Sequence, residues 1–193
     1  KAPPSMVDVL NAMLERSEPA LVQHTIRAIR ARGLADCDKG LEALIAKKDT
    51  SIELRLEAMA VVAPRWKEMP ERAFEMAVLQ MNSDIPAGIR RSAAEALANS
   101  RLSSFQLLNL ASVLPVATAL ELPRLLDAFK QSSLETTGLF LISRLEKSSA
   151  LTSLTPADLR AALANFPANV RASAAPLFRK LAVDETALRQ KLA

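Results

Sequence analysis

Apolar stretches with helix-forming composition divide this chain into segments of similar length, separated by short polar connections. No segment shows the strict alternation of apolar and polar residues that is typical of a half-buried strand. The pattern therefore predicts about a dozen helices and no sheet. Their approximate bounds are 5–16, 19–32, 37–47, 51–62, 69–82, 86–99, 103–114, 119–131, 134–147, 156–165, 168–181 and 184–192.

The predicted helix starts carry a recurrent capping pattern. A hydroxyl residue is followed three positions later by an acidic residue or a glutamine, the pairing that satisfies free amide groups at a helix N-terminus. The pairs are Ser5/Asp8, Thr50/Glu53, Ser103/Gln106, Thr118/Glu121, Ser132/Glu135 and Thr155/Asp158. Prolines at 19, 86, 156 and 167 fall where a first-turn proline is tolerated, because its missing amide hydrogen has no partner there.

The spacing of the helices predicts a repeat. Connections of two to eight residues favour antiparallel hairpins, whose second helices are expected to begin near 19, 52, 87, 120 and 168. The first four starts are 33 to 35 residues apart and the last follows after 48, which indicates one insertion. Helix pairs with such a period are typical of an α-solenoid. We expect an all-α, right-handed α-α superhelix of about five hairpins, with a capping helix at 184–192.

Composition agrees with this fold class. Half of the 193 residues are apolar, aromatic residues make up 4%, and tyrosine is absent, a balance that favours helix over strand. No apolar run approaches the ~18 residues of a membrane span. The chain begins KAPPSM, without an initiator methionine or a hydrophobic signal segment. We expect a soluble, single repeat domain over 1–193, cut from a longer protein and not inserted in a membrane.

Three segments share a turn residue followed six positions later by an arginine. The pairs are Asp49 with Arg55, Asp84 with Arg90, and Asn165 with Arg171. The segment FPANVRASAAPLF, 166–178, also repeats DIPAGIRRSAAEAL, 84–97, at six positions. Small residues at 93, 94, 174 and 175 are expected to let adjacent helices approach closely.

These segments resemble HEAT repeats, in which a turn with Asp precedes a second helix that opens with an aliphatic residue, Arg or Lys, and then Ala and Leu. The best match is MAVLQMNSDIPAGIRRSAAEAL, 76–97, and the segments 44–62 and 159–178 match in part. In HEAT solenoids the corresponding side chains are implicated in linking neighbouring repeats. The resemblance therefore implies that the three pairs form an inter-repeat ladder. A ligand contact is the alternative for Arg90, and Arg91 lies about 100° further round the helix, free to face solvent.

The segments LSSFQLLNL, ALELPRLLDAF and FPANVRASAAPLF carry a second resemblance. They are similar to the helical-repeat region of large bacterial, notably planctomycete, proteins that join a membrane-bound-dehydrogenase-like propeller to such repeats and to a c-type haem domain. This resemblance implies a periplasmic or exported setting and a role in positioning redox domains. The chain contains no CxxCH motif, so we expect no covalent haem site in it.

The residue patterns of common catalytic and metal sites are absent from the sequence. There is no glycine-rich phosphate loop, no GxSxG elbow and no HExxH, and His24 is the only histidine. We expect no catalytic residues, no metal, no cofactor and no enzymatic activity. Cys37 is either an inert thiol or a reactive one at a helix start, and Trp66 is either an exposed binding anchor or a wedge between two hairpins.

Charge bears on the class of partner. The net charge is +4, but acidic residues are interspersed with basic ones along the whole chain, unlike the concentrated basic stripe of a nucleic-acid binder. The expected concave surface of second helices carries both signs, which favours a polar protein surface as partner over a polyanion. The candidate contact residues are Gln23, Arg27, Arg30, Glu57, Arg91, Glu95, Arg124 and Asp127.

The sequence thus predicts a non-catalytic protein-interaction or scaffold module, whose partner is another domain of the same chain or another protein. The alternative is a DNA-binding or DNA-repair solenoid, for which the basic cluster Arg27, Arg30 and Arg32 and a phosphate contact by Arg90 and Arg91 provide the local arguments. Nucleic-acid binding by base stacking needs aromatic side chains that this chain scarcely has.

Overall fold

The computed structural model describes residues 4–182, and all regular structure in that range is helical. This confirms the predicted all-α class. The α-helices are α1 Pro4–Leu14, α2 Pro19–Arg32, α3 Asp38–Ala46, α4 Ile52–Val62, α5 Glu71–Leu79, α6 Ala87–Asn99, α7 Ser104–Val113, α8 Leu122–Leu126, α9 Glu135–Leu145, α10 Pro156–Leu163 and α11 Ala168–Ser173. Short 3-10 turns precede α3 and α10 and follow α4, α7 and α8. The expected capping helix 184–192 and the side chain of Ser5 lie outside the described residues.

Capping explains where several helices begin. Complete capping boxes open α7 with Ser103 and Gln106, and α10 with Thr155 and Asp158, as predicted. At α4 the prediction was wrong by one residue, because Ser51 and not Thr50 accepts the hydrogen bond from the Leu54 amide. At α9 the predicted Ser132 cap is also wrong, because Ser132 lies too early and accepts instead from the amide of Leu134.

Two predicted helices are shorter in the structure. α8 covers only Leu122–Leu126, and the chain then tightens into a 3-10 turn over Asp127–Gln131. α11 ends at Ser173, and a turn at Ala174 separates it from the helical residues 175–182. Pro176 accounts for this break, since proline has no amide hydrogen to donate and its ring restricts the residue before it.

The helices pack in two layers. In the second-helix layer, α2 contacts α4, α4 contacts α6, α6 contacts α8, and α8 with its 3-10 turn contacts α10. In the first-helix layer, α1 contacts α3, α5 contacts α7, α7 contacts α9, and α9 contacts α11. Pairing between the layers joins α1 to α2, α3 to α4 and α5 to α6.

The layers repeat with a uniform period. Second-layer helices begin at residues 19, 52, 87, 122 and 156, which is 33 to 35 residues apart, and first-layer helices begin at 4, 38, 71, 104, 135 and 168, which is 31 to 34 apart. The insertion expected from the sequence spacing is therefore absent. α10 occupies the place predicted for the helix from 168, and α11 lies in the other layer beside α9. Residues 84–97 and 166–178 share an arginine and alanine pattern, yet α6 lies in the second-helix layer and α11 in the first. This pattern therefore does not distinguish the two layers.

The core lies between and within the layers. α4 is buried on most sides because it packs against α2, α3 and α6, and its residues Ala58–Val62 are all buried. Ala93 and Ala94 on α6 are fully buried, as expected for small residues at a close helix contact. Ala174 is also buried, whereas Ala175 is exposed and the expectation for it is wrong.

Candidate functional site

The eight candidate contact residues lie on the second-helix layer. Gln23, Arg27 and Arg30 are on α2, Glu57 on α4, Arg91 and Glu95 on α6, Arg124 on α8 and Asp127 on the 3-10 turn that follows α8. All eight are exposed or half-buried, so none belongs to the core. We call this face of the layer the second-helix surface.

Polar side chains on this surface bond across helices. Gln23 Nε2 donates to Glu57 Oε1 at 2.6 Å, which joins α2 to α4. Arg30 forms an ion pair with Glu95, and this contact spans α4, because α4 lies between α2 and α6. The other oxygen of Glu95 lies 3.7 Å from Nη1 of Arg124. The network therefore links α2, α6 and α8 through one glutamate.

Three of the candidate residues are not part of this network. Asp127 pairs with Lys130 on its own 3-10 turn, at 2.5 Å between Oδ1 and Nζ. Arg27 and Arg91 are exposed, and neither has a hydrogen bond or ion pair with another described residue. Their guanidinium groups are available to a partner.

A cleft of about 390 Å³ opens where α6, α8 and α10 meet. Its polar lining includes Glu95, Arg124, Asp127 and Asp158, so carboxylates outnumber cations. Hydrogen bonds from the hydroxyl and amide of Thr155 lower the pKa of Asp158, with a smaller effect from Lys130, so this carboxylate is charged at neutral pH.

An apolar side chain stands at the edge of the same cleft. Leu120 lines it together with Pro123 and Ala98, and Leu120 is 78% exposed. Single exposed apolar side chains are common on protein surfaces, but an apolar side chain bordered by charged groups also matches the apolar centre and polar rim of a protein interface. The sequence pattern singled out Asp158 only as a capping residue, and it did not single out Leu120 or Asn99, since the convergence of the three depends on how three helices pack.

Arg90 and Arg171 bind the backbone of the turns that precede their helices. Arg90 Nη1 donates to the carbonyl oxygens of Ser83, at 3.0 Å, and Ile85, at 2.8 Å. Arg171 Nη1 donates to Phe166 at 2.6 Å and Ala164 at 3.4 Å, which are the equivalent positions five and seven residues earlier.

Arg55 differs in detail but also binds a carbonyl. Its Nε donates to the oxygen of Ile45, near the end of α3, at 2.7 Å. Each of the three arginines thus fastens a turn within its own repeat.

The structure does not join these arginines to the predicted turn residues. Asp84 contacts its neighbours Ser83 and Asn82, and no ion pair joins it to Arg90. Asp49 is exposed and has no hydrogen bond or ion pair with a described residue. Asn165, by contrast, donates through Nδ2 to the carbonyl of Lys130 at 2.6 Å, a contact between neighbouring repeats. The inter-repeat ladder of Asp49 with Arg55 and Asp84 with Arg90 therefore stays a prediction.

Glu121 is the inter-repeat partner of Arg90. Arg90 Nε donates to Glu121 Oε1 at 2.7 Å, and only 13% and 3% of the two side chains are exposed. The other carboxylate oxygen accepts from the amide of Thr118 at 2.9 Å. Burial by itself raises the pKa of Glu121, but the hydrogen bonds from Arg90 and Thr118 and the charge of Arg90 hold it below its usual value. The sequence indicated the Thr118 contact through its capping spacing, whereas Arg90 lies 31 residues away.

The remaining chemical candidates have ordinary structural surroundings. His24 is exposed, and its Nδ1 lies 2.6 Å from the carbonyl oxygen of Ala20 on the same helix. Cys37 is fully buried, and burial, followed by the charges of Asp36 and Asp38, raises the pKa of its thiol, which opposes a reactive thiolate. Within residues 4–182, no group of three or more histidine, cysteine or acidic side chains is arranged to hold a metal ion.

Comparisons with protein-family models, with curated protein sequences and with solved structures find no match for this chain. Among the described helices, none combines the length and apolar character needed to cross a bilayer.

Proposed function

We propose that this chain is a HEAT-like α-solenoid module that binds a protein partner through the second-helix surface and catalyses no reaction. The observation that carries the proposal is the cleft between α6, α8 and α10, where an exposed Leu120 stands beside Arg124 and several carboxylates. Such a combination of an apolar anchor and charges of both signs suits a folded protein surface better than a polyanion.

The repeat spacing supports the solenoid part of the proposal. Helices of each layer begin 31 to 35 residues apart, and consecutive helices within a layer pack against each other, apart from α3 and α5, which flank a cleft. In a solenoid, every repeat covers the apolar face of the next, and one layer forms an extended binding surface. We propose a right-handed superhelix, as the resemblance to HEAT repeats implies.

The charges define the partner's chemistry. Glu95 and Asp127 are already paired with Arg30 and Lys130, whereas Asp158 has no ion pair with a described residue, so the partner is expected to present a lysine or arginine to Asp158. An apolar pocket on the partner would receive Leu120. Another domain of the same chain or a separate protein meets this description. The exported, redox-associated setting is part of the proposal only because of the resemblance to the planctomycete-type proteins.

Site-specific photocrosslinking tests this proposal. The crosslinker p-benzoylphenylalanine replaces Ala98, which lines the cleft, and in a control it replaces Val9, an exposed residue of α1 in the other layer. With an extract of the cells that make the protein, we expect a discrete crosslinked protein from position 98 alone. The added substitutions Leu120→Asp and Asp158→Lys should abolish it. Crosslinks that persist in these variants would show that the cleft is not the binding site.

The nucleic-acid alternative makes a different prediction for the two free arginines of the second-helix surface. If DNA were the partner, Arg27→Gln and Arg91→Gln would weaken binding of a labelled duplex and reduce its salt dependence. The proposed function predicts no saturable binding of the duplex by the unmodified protein at about 0.15 M salt. Fluorescence anisotropy over a salt series distinguishes the two.

A further inference from the structure

A second cleft, of about 480 Å³, lies in the first-helix layer between α3 and α5. Its walls are mostly apolar and come from the end of α3, the start of α5 and the segment before it. The apolar lining residues are Ile45, Ala46, Trp66, Pro70, Ala73 and Met76. Trp66 is half-buried and packs against the core, so it forms a fixed wall.

The charged lining of this cleft is predominantly basic. Lys48, Arg55 and Arg72 face one acidic residue, Glu42. Glu42 Oε1 already accepts the indole N–H of Trp66 at 2.8 Å. Lys48 and Arg72 are exposed, and neither pairs with a described carboxylate. The cleft therefore carries excess positive charge beside an apolar wall.

Arg55 is held in place at this cleft, but only part of its hydrogen-bonding capacity is occupied. Its Nε donates to the carbonyl of Ile45 at 2.7 Å, which fixes the guanidinium plane. Its two terminal nitrogens have no hydrogen bond to any described residue. A fixed guanidinium whose two terminal nitrogens are both free matches the geometry of a carboxylate.

We infer that this cleft binds a small organic molecule with an apolar body and one carboxylate. The apolar body lies against Trp66 and Met76, and the carboxylate pairs with Arg55, with Lys48 and Arg72 adding attraction. Clefts of several hundred Å³ with apolar walls and a few convergent polar groups are typical small-molecule sites. The site lies in the first-helix layer, so the inference does not depend on the proposed protein-binding function.

The protein carries its own reporter for this site. Trp66 is the only tryptophan, and tyrosine is absent, so intrinsic emission comes from the wall of the cleft. The probe is 4-phenylbutanoate, compared with 4-phenylbutan-1-ol and 4-phenylbutan-1-amine, which share its apolar body. We expect a saturable change in emission with the acid, binding about tenfold weaker for the alcohol, and weaker binding still for the amine.

Matched variants locate the binding. Ala46→Phe places a large side chain in the cleft from an exposed position and should abolish the fluorescence response. Lys48→Gln with Arg72→Gln should weaken binding about three- to tenfold, whereas Arg160→Gln, at an exposed position of α10 in the other layer, should leave it unchanged. Arg55→Lys keeps the charge but loses the planar guanidinium that can donate two parallel hydrogen bonds. It should therefore weaken binding of the acid more than that of the alcohol.

Three results would overturn the inference. They are equal affinity for the acid and the alcohol, an unchanged response in Ala46→Phe, and no saturable response to the acid up to ~10 mM. Calorimetric titration of the same variants checks the affinities measured by fluorescence. Circular dichroism shows whether each variant is folded. If Arg55→Lys does not fold, Ala46→Phe and the double variant Lys48→Gln/Arg72→Gln decide the outcome.

Discussion

Arg90 and Arg91 are adjacent and chemically identical, yet their surroundings differ. Arg90 bonds to Glu121 and to two backbone carbonyls, whereas Arg91 is exposed and has no hydrogen bond or ion pair with a described residue. The difference arises because successive residues of a helix point about 100° apart, so one side chain reaches the next repeat and the other reaches solvent.

We predict that Arg90→Ala lowers the free energy of unfolding by about 3 kcal/mol, because it leaves the buried carboxylate of Glu121 without its cation. Arg91→Ala should change it by less than ~0.5 kcal/mol. Urea denaturation of the two variants measures both values. Equal losses would contradict the assignment of Arg90 as the inter-repeat contact.

Glu121 should also make stability depend on pH. Its pKa in the folded protein lies below the usual 4.5, so folding favours the charged form. The resulting stabilisation is complete above the unfolded pKa and is lost as the pH falls through the lower folded value. We expect Glu121→Gln, compared with the parent protein by urea denaturation from pH 7 to pH 3, to be less stable at pH 7 and to show a smaller loss on acidification. Parallel pH profiles for the two proteins would contradict this.

At the scale of elements, α9 and α11 touch where Gly138 leaves room. A Cβ atom at this position would lie 2.6 Å from Val170 Cγ1 and 2.7 Å from Phe166 Cδ1. Asn169 Nδ2 also donates to Glu135 Oε1 at 2.7 Å, which joins the starts of the same two helices. Gly138 is thus required by packing, although glycine weakens a helix.

Gly138→Ala should therefore destabilise the protein by about 1–3 kcal/mol through overpacking against Val170 and Phe166, despite the better helix propensity of alanine. Gly88 on α6 provides the matched control, because a Cβ there meets nothing within 4 Å. Gly88→Ala should stabilise by about 0.4–1 kcal/mol. Denaturant midpoints test the pair, and a stabilised Gly138→Ala variant would show that α9 and α11 do not pack this closely.

At the scale of the whole molecule, each helix packs mainly against its neighbours in the repeat order. The Arg30–Glu95 ion pair is a longer-range contact, because it joins α2 to α6 across α4. If the proposed solenoid holds, stability is approximately a sum of repeat and nearest-neighbour terms, and we expect the ends to unfold semi-independently. Trp66 reports on the region of α3 to α5, whereas circular dichroism reports on all helices.

We predict that Gly138→Ala moves the early part of the circular dichroism transition to lower denaturant while the Trp66 fluorescence midpoint shifts less. Leu56→Ala, in the buried α4, serves as the reverse control and should move the fluorescence midpoint more. Coincident shifts of both probes in both variants would indicate a single cooperative unit instead.

Much of the local structure follows from residues that act over short distances. Capping boxes at Ser103/Gln106 and Thr155/Asp158 and the first-turn prolines 19 and 156 depend on groups within a few positions of each other, so the sequence alone located those helix starts. The first-turn prediction was wrong for Pro86 and Pro167, which take the N-cap position just before α6 and α11. The break before Pro176 depends on one residue in the same way, and it was available from the sequence although the prediction ran through it.

The layers and the sites depend on contacts between residues that are far apart in the chain. The sequence alone determined an all-α chain with a helix-pair period in the thirties, since propensity and capping are local. Only the tertiary structure decided that α10, and not α11, lies beside α8, because their local patterns do not encode which neighbour each helix meets. It likewise decided that Arg90 pairs with Glu121 and that Leu120 stands beside Asp158, since burial and charge pairing between repeats arise only when the layers pack.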